Sequence, residues 1–444
     1  MPPELTPASD YSSLRELIKG SSSSFSCSGS IPITTDTSVK EYGHVPTKSR
    51  PVKFFWTSRD SVPHVLVLPI YEKDDIDASG AGALQQLISD CAPACFRECG
   101  KRILDPTFGK AGTLNPAHFA TTFHPVDLGI LDEIEKQLLP SFNVDASRKL
   151  IADLWKLEVF SSPDGFFKNH TNIPYSENQF GSLVVCLPSR FTGGNLYVRH
   201  NKQVRDLDWS PASSSTIQWA AFYDDCEREI VPVTEGKLIT LVYRLHAVDA
   251  GVRYVHPRSS LTPCMQPLKA AVMNILGSSD LMRQGGILGA FCSYAYPASE
   301  SIAHVLKDGD YLIYSAFKSC GLDTCALAIS STGDWYATIL KRAQSKNIPI
   351  QHNEKNKTAK AVASEAWPCI TLPGVTWVNE QNEDILALCN FSRDFSRDTG
   401  AAASSKKGKD IHRPAKRRKL HQSKTPWFMN GAILAVILPW RVRL

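Results

Sequence analysis

No run of roughly 20 apolar residues, the length that a bilayer-spanning helix needs, occurs in this 444-residue sequence, and its most apolar stretch, 432–440, is less than half as long. The start, Met1-Pro2-Pro3-Glu4-Leu5, has neither the basic residues nor the apolar core of a secretory signal. Twelve cysteines are scattered without the compact spacing of a disulfide scaffold. These absences point to a reduced, intracellular protein, cytoplasmic or nuclear, with no membrane partner. Zinc pairs are missing too: Cys91, Cys95 and Cys99 recur at helical spacing around Pro93, which reads as one face of a helix. Cys320 and Cys325 have no evident partners.

A broadly basic surface is also missing. The net charge of +5 has one source: nine Lys or Arg between Lys406 and Lys424, opposed there only by Asp410, put that segment at +8 and leave the rest of the chain at −3. That distribution gives no strong nucleic-acid signal. Within it, Lys416, Arg417, Arg418 and Lys419 form a compact run that reads either as a nuclear-import signal, with an import receptor as partner, or as a charged solubilising loop.

What is present is an ordinary globular composition, 43% hydrophobic and 21% charged, in a chain long enough for one large domain with additions or for two domains. Residues 1–50, with an amphipathic piece at Ser12 to Lys19 and four consecutive serines, read as a flexible arm. In 51–150, Val52 to Trp56 and His64 to Leu68 bracket a turn as a hairpin, and helices are predicted over Leu84 to Arg97 and Leu128 to Leu139. Between 151 and 250 the pattern becomes short strands: Leu157 to Phe160, Gly181 to Leu187, Asn195 to His200, Ile217 to Tyr223, Glu229 to Val233 and Leu238 to Leu245. Their lengths and their Pro, Gly, Ser and Asp punctuation fit a jelly roll. Residues 251–391 are mixed, with helix candidates at Leu268 to Leu276, Ser299 to Leu306 and Gly333 to Ala343; 392–425 reads as a disordered basic loop, and 426–444 returns as a buried strand.

Four runs carry a resemblance: Gly165 to Pro174 with its His170-Thr171-Asn172, Phe180 to Pro188, Gly193-Gly194-Asn195-Leu196, and Trp219 to Glu229. In this order they are similar to the prolyl 4-hydroxylase-like 2-oxoglutarate/Fe(II) dioxygenases, in the form common in fungi. The likeness spans roughly 52–248 and implies an α+β fold: a double-stranded β-helix, or jelly roll, flanked by helices. The same resemblance implies an iron held by a His-x-Asp pair and a distal His, with an Arg and a Tyr on the cosubstrate.

The positions that this resemblance picks out are largely refilled. His170 keeps the first ligand position. Asn172 stands at the aspartate, Arg228 at the distal histidine, Leu238 at the cosubstrate arginine and Phe160 at the tyrosine. A guanidinium has no lone pair for a metal, and leucine cannot pair with a carboxylate. Without a metal the mapped positions keep one formal charge, Arg228. Either a structural plug at that point or an anion receptor follows, occupied by an anionic small molecule, a protein ligand or a carboxylate from elsewhere in the chain. Glu227 and Glu229 flank Arg228 but fall on the opposite face of a regular strand; His200, His246 and His256 are the other candidates for rebuilding a metal site.

Two functional readings result. In the first, the chain is a pseudoenzyme, binding module or metal-independent catalyst with no cofactor. In the second, it is an active oxygenase using Fe(II) and 2-oxoglutarate through atypical ligands.

Overall fold

The computed structural model describes residues 11–20, 24–35, 47–58, 60–70, 77–94, 96–98, 101–103, 105–139, 148–171, 176–249, 262–279, 282–297, 299, 301–329, 334–348, 375–379 and 428–443. Asn172, His256, Cys95, Cys99, the basic segment and its Lys416 to Lys419 run lie outside the described residues.

Near the N-terminus the expected flexible arm is corrected. Helix α1 (Ser12–Gly20) buries Leu14 and Ile18, one turn apart, and strand β1 (Ser26–Pro32) joins a sheet as its edge. An i, i+4 apolar pair is enough to dock a short helix on a neighbour. Strands β2 (Val52–Thr57) and β3 (Pro63–Leu68) form the antiparallel hairpin, with Val52, Phe54 and Trp56 inward at every second position. Helix α2 (Asp77–Asp90) stops before Pro93, and the short strands β4 (Ala92–Pro93), β5 (Phe96–Glu98) and β6 (Lys101–Ile103) follow. The predicted helix across Leu84 to Arg97 therefore ends early, because proline removes a helical N–H; Cys91 lies in the turn, not on a helical face. The strands β7 (Gly109–Lys110), β8 (Gly112–Leu114) and β9 (Phe119–Thr121) lead to α3 (Ile130–Leu138), which buries Ile130, Ile134 and Leu138.

Then come the strands of the jelly roll: β10 (Arg148–Ser161), β11 (Gly165–Thr171), β12 (Gln179–Cys186), β13 (Phe191–Gly193), β14 (Leu196–His200), β15 (Gln203–Leu207), β16 (Thr216–Tyr223) and β17 (Glu227–Asp249). One sheet runs β1-β16-β12-β17-β10-β8-β4; against it lie β11, β13 and β14, all paired with the first part of β17, with β7 and β15 outside them. These two facing antiparallel sheets are the double-stranded β-helix of an α+β protein. Two strands expected at Glu229 to Val233 and Leu238 to Leu245 are one 23-residue strand that passes from sheet to sheet. Gly236 permits the passage: its φ is 70°, and a Cβ there would lie 2.1 Å from the Arg190 carbonyl oxygen.

The C-terminal lobe contains α4 (Thr262–Gly277), β18 (Gly286–Pro297), α5 (Asp308–Ser319), β19 (Asp323–Ala328), α6 (Asp334–Ser345), β20 (Val375–Trp377) and β21 (Phe428–Ile437). Its sheet has the order β19-β21-β18-β20. The strand β21 is buried along its whole length between two partners, as a continuous apolar run requires. The helix predicted over Ser299 to Leu306 is reduced to a 3-10 turn at Ala303–Val305, while α5 was not anticipated. Its apolar face is interrupted by Asp310, fully buried because its oxygens accept from the Ser293 backbone N–H and the Tyr296 hydroxyl.

Candidate functional site

Alternation on β10 sends Lys156, Glu158 and Phe160 into the jelly roll, after a bulge between Leu154 and Lys156. Across the ladder Thr240 stands opposite Glu158, and Leu238 opposite Phe160. From the facing sheet, Arg228 projects toward them at 1% exposure, its backbone paired with His170 on one side and Val198 on the other. The structure thus places Arg228, Phe160 and Leu238 in one interior region and sets the backbone of His170 directly across from Arg228.

The guanidinium meets a carboxylate that the sequence reading had not singled out. Glu158 is fully buried; its Oε1 lies 2.5 Å from Lys156 Nζ and its Oε2 lies 3.5 Å from Arg228 Nη2. Arg228 Cζ sits 4.7 Å from the centre of the Phe167 ring. Burial pushes the Glu158 carboxyl up, but the charges of Lys156 and then Arg228 outweigh it and hold the group below its ordinary value. Burial likewise pulls the Lys156 ammonium down, with Glu158 opposing and Arg228 reinforcing the shift. Among the described residues, Arg228 Nε and Nη1 and the Thr240 hydroxyl have no hydrogen-bond partner. Phe160 and Leu238 are both fully buried, and Leu238 closes against Gly194, where a Cβ would lie 3.2 Å from its Cδ2. The only sequence trace of the missed pair is Lys156-Leu157-Glu158-Val159-Phe160, in which charges occupy alternate positions of an apolar run, a pattern that an exposed strand face shows equally.

The candidates for rebuilding a metal site do not gather there. Glu229 turns outward to Arg199 at 2.6 Å, and Glu227 is exposed. His246 bonds Ser176 at 3.2 Å. Among the described residues no three His, Cys, Asp or Glu side chains converge.

His200 belongs to a second buried centre, between the jelly roll and the C-terminal lobe. Asp225, from the turn before β17, accepts from Lys307 Nζ at 2.7 Å and from the Ala295 backbone N–H at 2.9 Å, with His200 Nε2 at 3.4 Å. Lys307 also donates to the Ala295 carbonyl and lies among the rings of Tyr223, Tyr294 and Tyr296. Burial raises the Asp225 carboxyl, but Lys307 and then His200 bring it well below its usual range. Its neighbour Asp224 makes no hydrogen bond of good geometry, and burial pushes it up to about 7 against the opposing pull of Lys307 and Gln179. Burial also pushes Asp310 up to about 7.

No protein-family profile and no curated protein matches the chain. Among solved structures, a prolyl-4-hydroxylase from Pseudomonas putida is 14% identical at a TM-score of 0.25, covering 38% of this chain and 84% of its own. An oxidoreductase of the 2OG-Fe(II) oxygenase family from Burkholderia pseudomallei is 13% identical at 0.22, over 40% and 84%. A prolyl hydroxylase from Trichoplax adhaerens, in complex with a hypoxia-inducible-factor peptide, is 11% identical at 0.18, over 54% and 80%. At these values the likenesses carry no argument about activity or site, and the fold assignment rests on strand order and register. None of the described helices is long and apolar enough to cross a membrane.

Proposed function

We propose that this chain is a dioxygenase-fold protein that works without iron, as a pseudoenzyme used for binding or as a metal-independent catalyst. One observation carries the reading: the residue at the distal ligand position, Arg228, is a buried permanent cation aimed at Glu158. A divalent ion about 5 Å from that guanidinium would be repelled by roughly 7 kcal/mol at an effective dielectric of about 20. Two more substitutions point the same way. Leu238 and Phe160 offer a 2-oxoglutarate carboxylate neither charge nor hydrogen bond, so the residues present do not fit the metal and cosubstrate of the family that the sequence resembles.

Anaerobic titration with Fe(II) and 2-oxoglutarate, followed by a succinate-release assay, tests this. The expected result is no saturable iron binding and no succinate. Succinate release that disappears in His170→Ala refutes the proposal and establishes the alternative, an oxygenase with atypical ligands. That alternative draws support from one feature, the backbone of His170 standing in register across from the distal position. The Lys416 to Lys419 run is proposed as the contact for a nuclear-import receptor; a fluorescent fusion that stays nuclear after all four are changed to Ala refutes it.

A further inference from the structure

The jelly-roll interior holds more positive charge than it neutralises. Lys156 and Arg228 face one carboxylate, Glu158, and the two contacts are unequal: Lys156 stands at 2.5 Å and Arg228 at 3.5 Å. At 3.5 Å Arg228 keeps a charge interaction but no close hydrogen bond. Its Nε and Nη1 donors and the Thr240 hydroxyl are buried with no hydrogen-bond partner among the described residues. Buried donors without acceptors and a buried cation with incomplete compensation are both destabilising.

We propose that the jelly-roll interior binds a small organic monocarboxylate, held by Arg228 and the Thr240 hydroxyl, with its apolar part against Phe160, Phe167 and Leu238. This rests on the iron-free reading above. Charge selects a single negative group: two cations against one carboxylate leave one positive charge. The walls select against a second: Phe160 and Leu238 are fully buried and apolar, and Phe167 presents its ring to the guanidinium. A dicarboxylate would have to press one ionised end against them. Binding is reversible and involves no covalent step.

The test is calorimetric titration of the full chain with sodium propionate, with matched titrations of sodium chloride, phosphate, succinate and 2-oxoglutarate, all without added metal. Saturable propionate binding is expected, weakened about ten- to hundred-fold in Arg228→Met, the scale of one lost charge-assisted hydrogen bond. Because Arg228→Met exposes Glu158 to a changed partner, Thr240→Val provides a near-isosteric second variant, expected to bind several-fold more weakly with an unchanged melting curve. Absence of saturable heat with propionate overturns the proposal. So does equal binding of chloride, which marks an adventitious anion only, tighter binding of either dicarboxylate, or unchanged affinity in both variants. Binding of 2-oxoglutarate that appears only in a parallel titration with added Fe(II) would instead overturn the iron-free reading itself, so the two failures are distinguishable.

Discussion

Changing Glu158 to Gln keeps the size of the side chain and removes its charge, leaving the half-buried Lys156 and the buried Arg228 with no carboxylate between them. At an effective dielectric of about 20, attractions at the observed 2.5 and 3.5 Å are roughly 7 and 5 kcal/mol. Desolvation of three charged groups offsets most of that, and breaking a buried pair by removing one partner costs about 3–5 kcal/mol. The expected loss in Glu158→Gln is of that size, read from the shift of the urea midpoint by circular dichroism with an unchanged slope. Replacing the trio together, as Lys156→Met, Glu158→Leu and Arg228→Met, removes charges and partners at once; stability should return to the wild-type value or exceed it. Acid provides an independent readout. The folded Glu158 carboxyl lies below its unfolded value, so its contribution is complete above the unfolded pKa and is lost as pH falls through the folded one. The Gln variant should lack that acid-side component. A loss below about 1 kcal/mol in Glu158→Gln, or a triple variant worse than the single, would refute the view that these charges hold one another in place.

Other expectations follow from neighbouring geometry. Lys307→Met strands Asp225 in the interface and should destabilise the chain by about 3–5 kcal/mol, measured by thermal melting; Asp225→Asn in the same background should recover part of it. Asp224, pushed up to about 7, keeps its proton in the folded chain where the unfolded chain has released it, so stability falls as pH rises from about 4 to about 7. Asp224→Asn should flatten that decline and be the more stable protein at pH 8, and equal slopes in both would contradict it. Gly236→Ala should destabilise severely, since its Cβ would meet a carbonyl oxygen at 2.1 Å; soluble expression and a normal melting point would show that the strand crossing has been misread. Finally, Arg228→His combined with Asn172→Asp restores the ligand types of the resembled family beside His170. Cobalt(II) absorption spectra should reveal tighter metal binding than in the unaltered chain, and no gain would break the correspondence of position 228 with the distal ligand.

Local sequence carried much of this architecture. Val52 to Trp56 with His64 to Leu68 could be read as a hairpin because one face alternates apolar residues, and the helices α3, α4 and α6 because their apolar spacing is regular. The jelly-roll strands were legible in part because the turns between them hold Gly, Pro and Asp. What escaped were features set by distant partners. Helix α5 is hidden by Asp310, whose burial depends on Ser293 and Tyr296 on another strand. The continuity of β17 through Gly236 depends on Arg190, and β1 is a strand only because β16 offers it an edge. At the candidate site, Arg228, Leu238 and Phe160 could be singled out one position at a time from the resemblance. Glu158 was not, because nothing local tells a buried carboxylate from an exposed one on an alternating strand; a cation from the facing sheet decides it.

The two buried charge centres divide the work of holding the molecule together. In the first, fixed charges on β10 and β17 span the space between the sheets, with Glu158 linking the two through Arg228. The second centre fastens the jelly roll to the C-terminal lobe, since Asp225 binds both the backbone of β18 and the lysine at the start of α5. Both centres thus join elements distant in sequence through side-chain charge. Charges that pair within the chain also fix which strands face one another. A carboxylate on β10 that needs a cation from the opposite sheet penalises any slip of β17, because a one-residue shift would turn Arg228 outward and leave Glu158 buried with Lys156 alone. The Glu158 and Arg228 charges therefore fix the register of β17 against β10 as well as joining the two sheets.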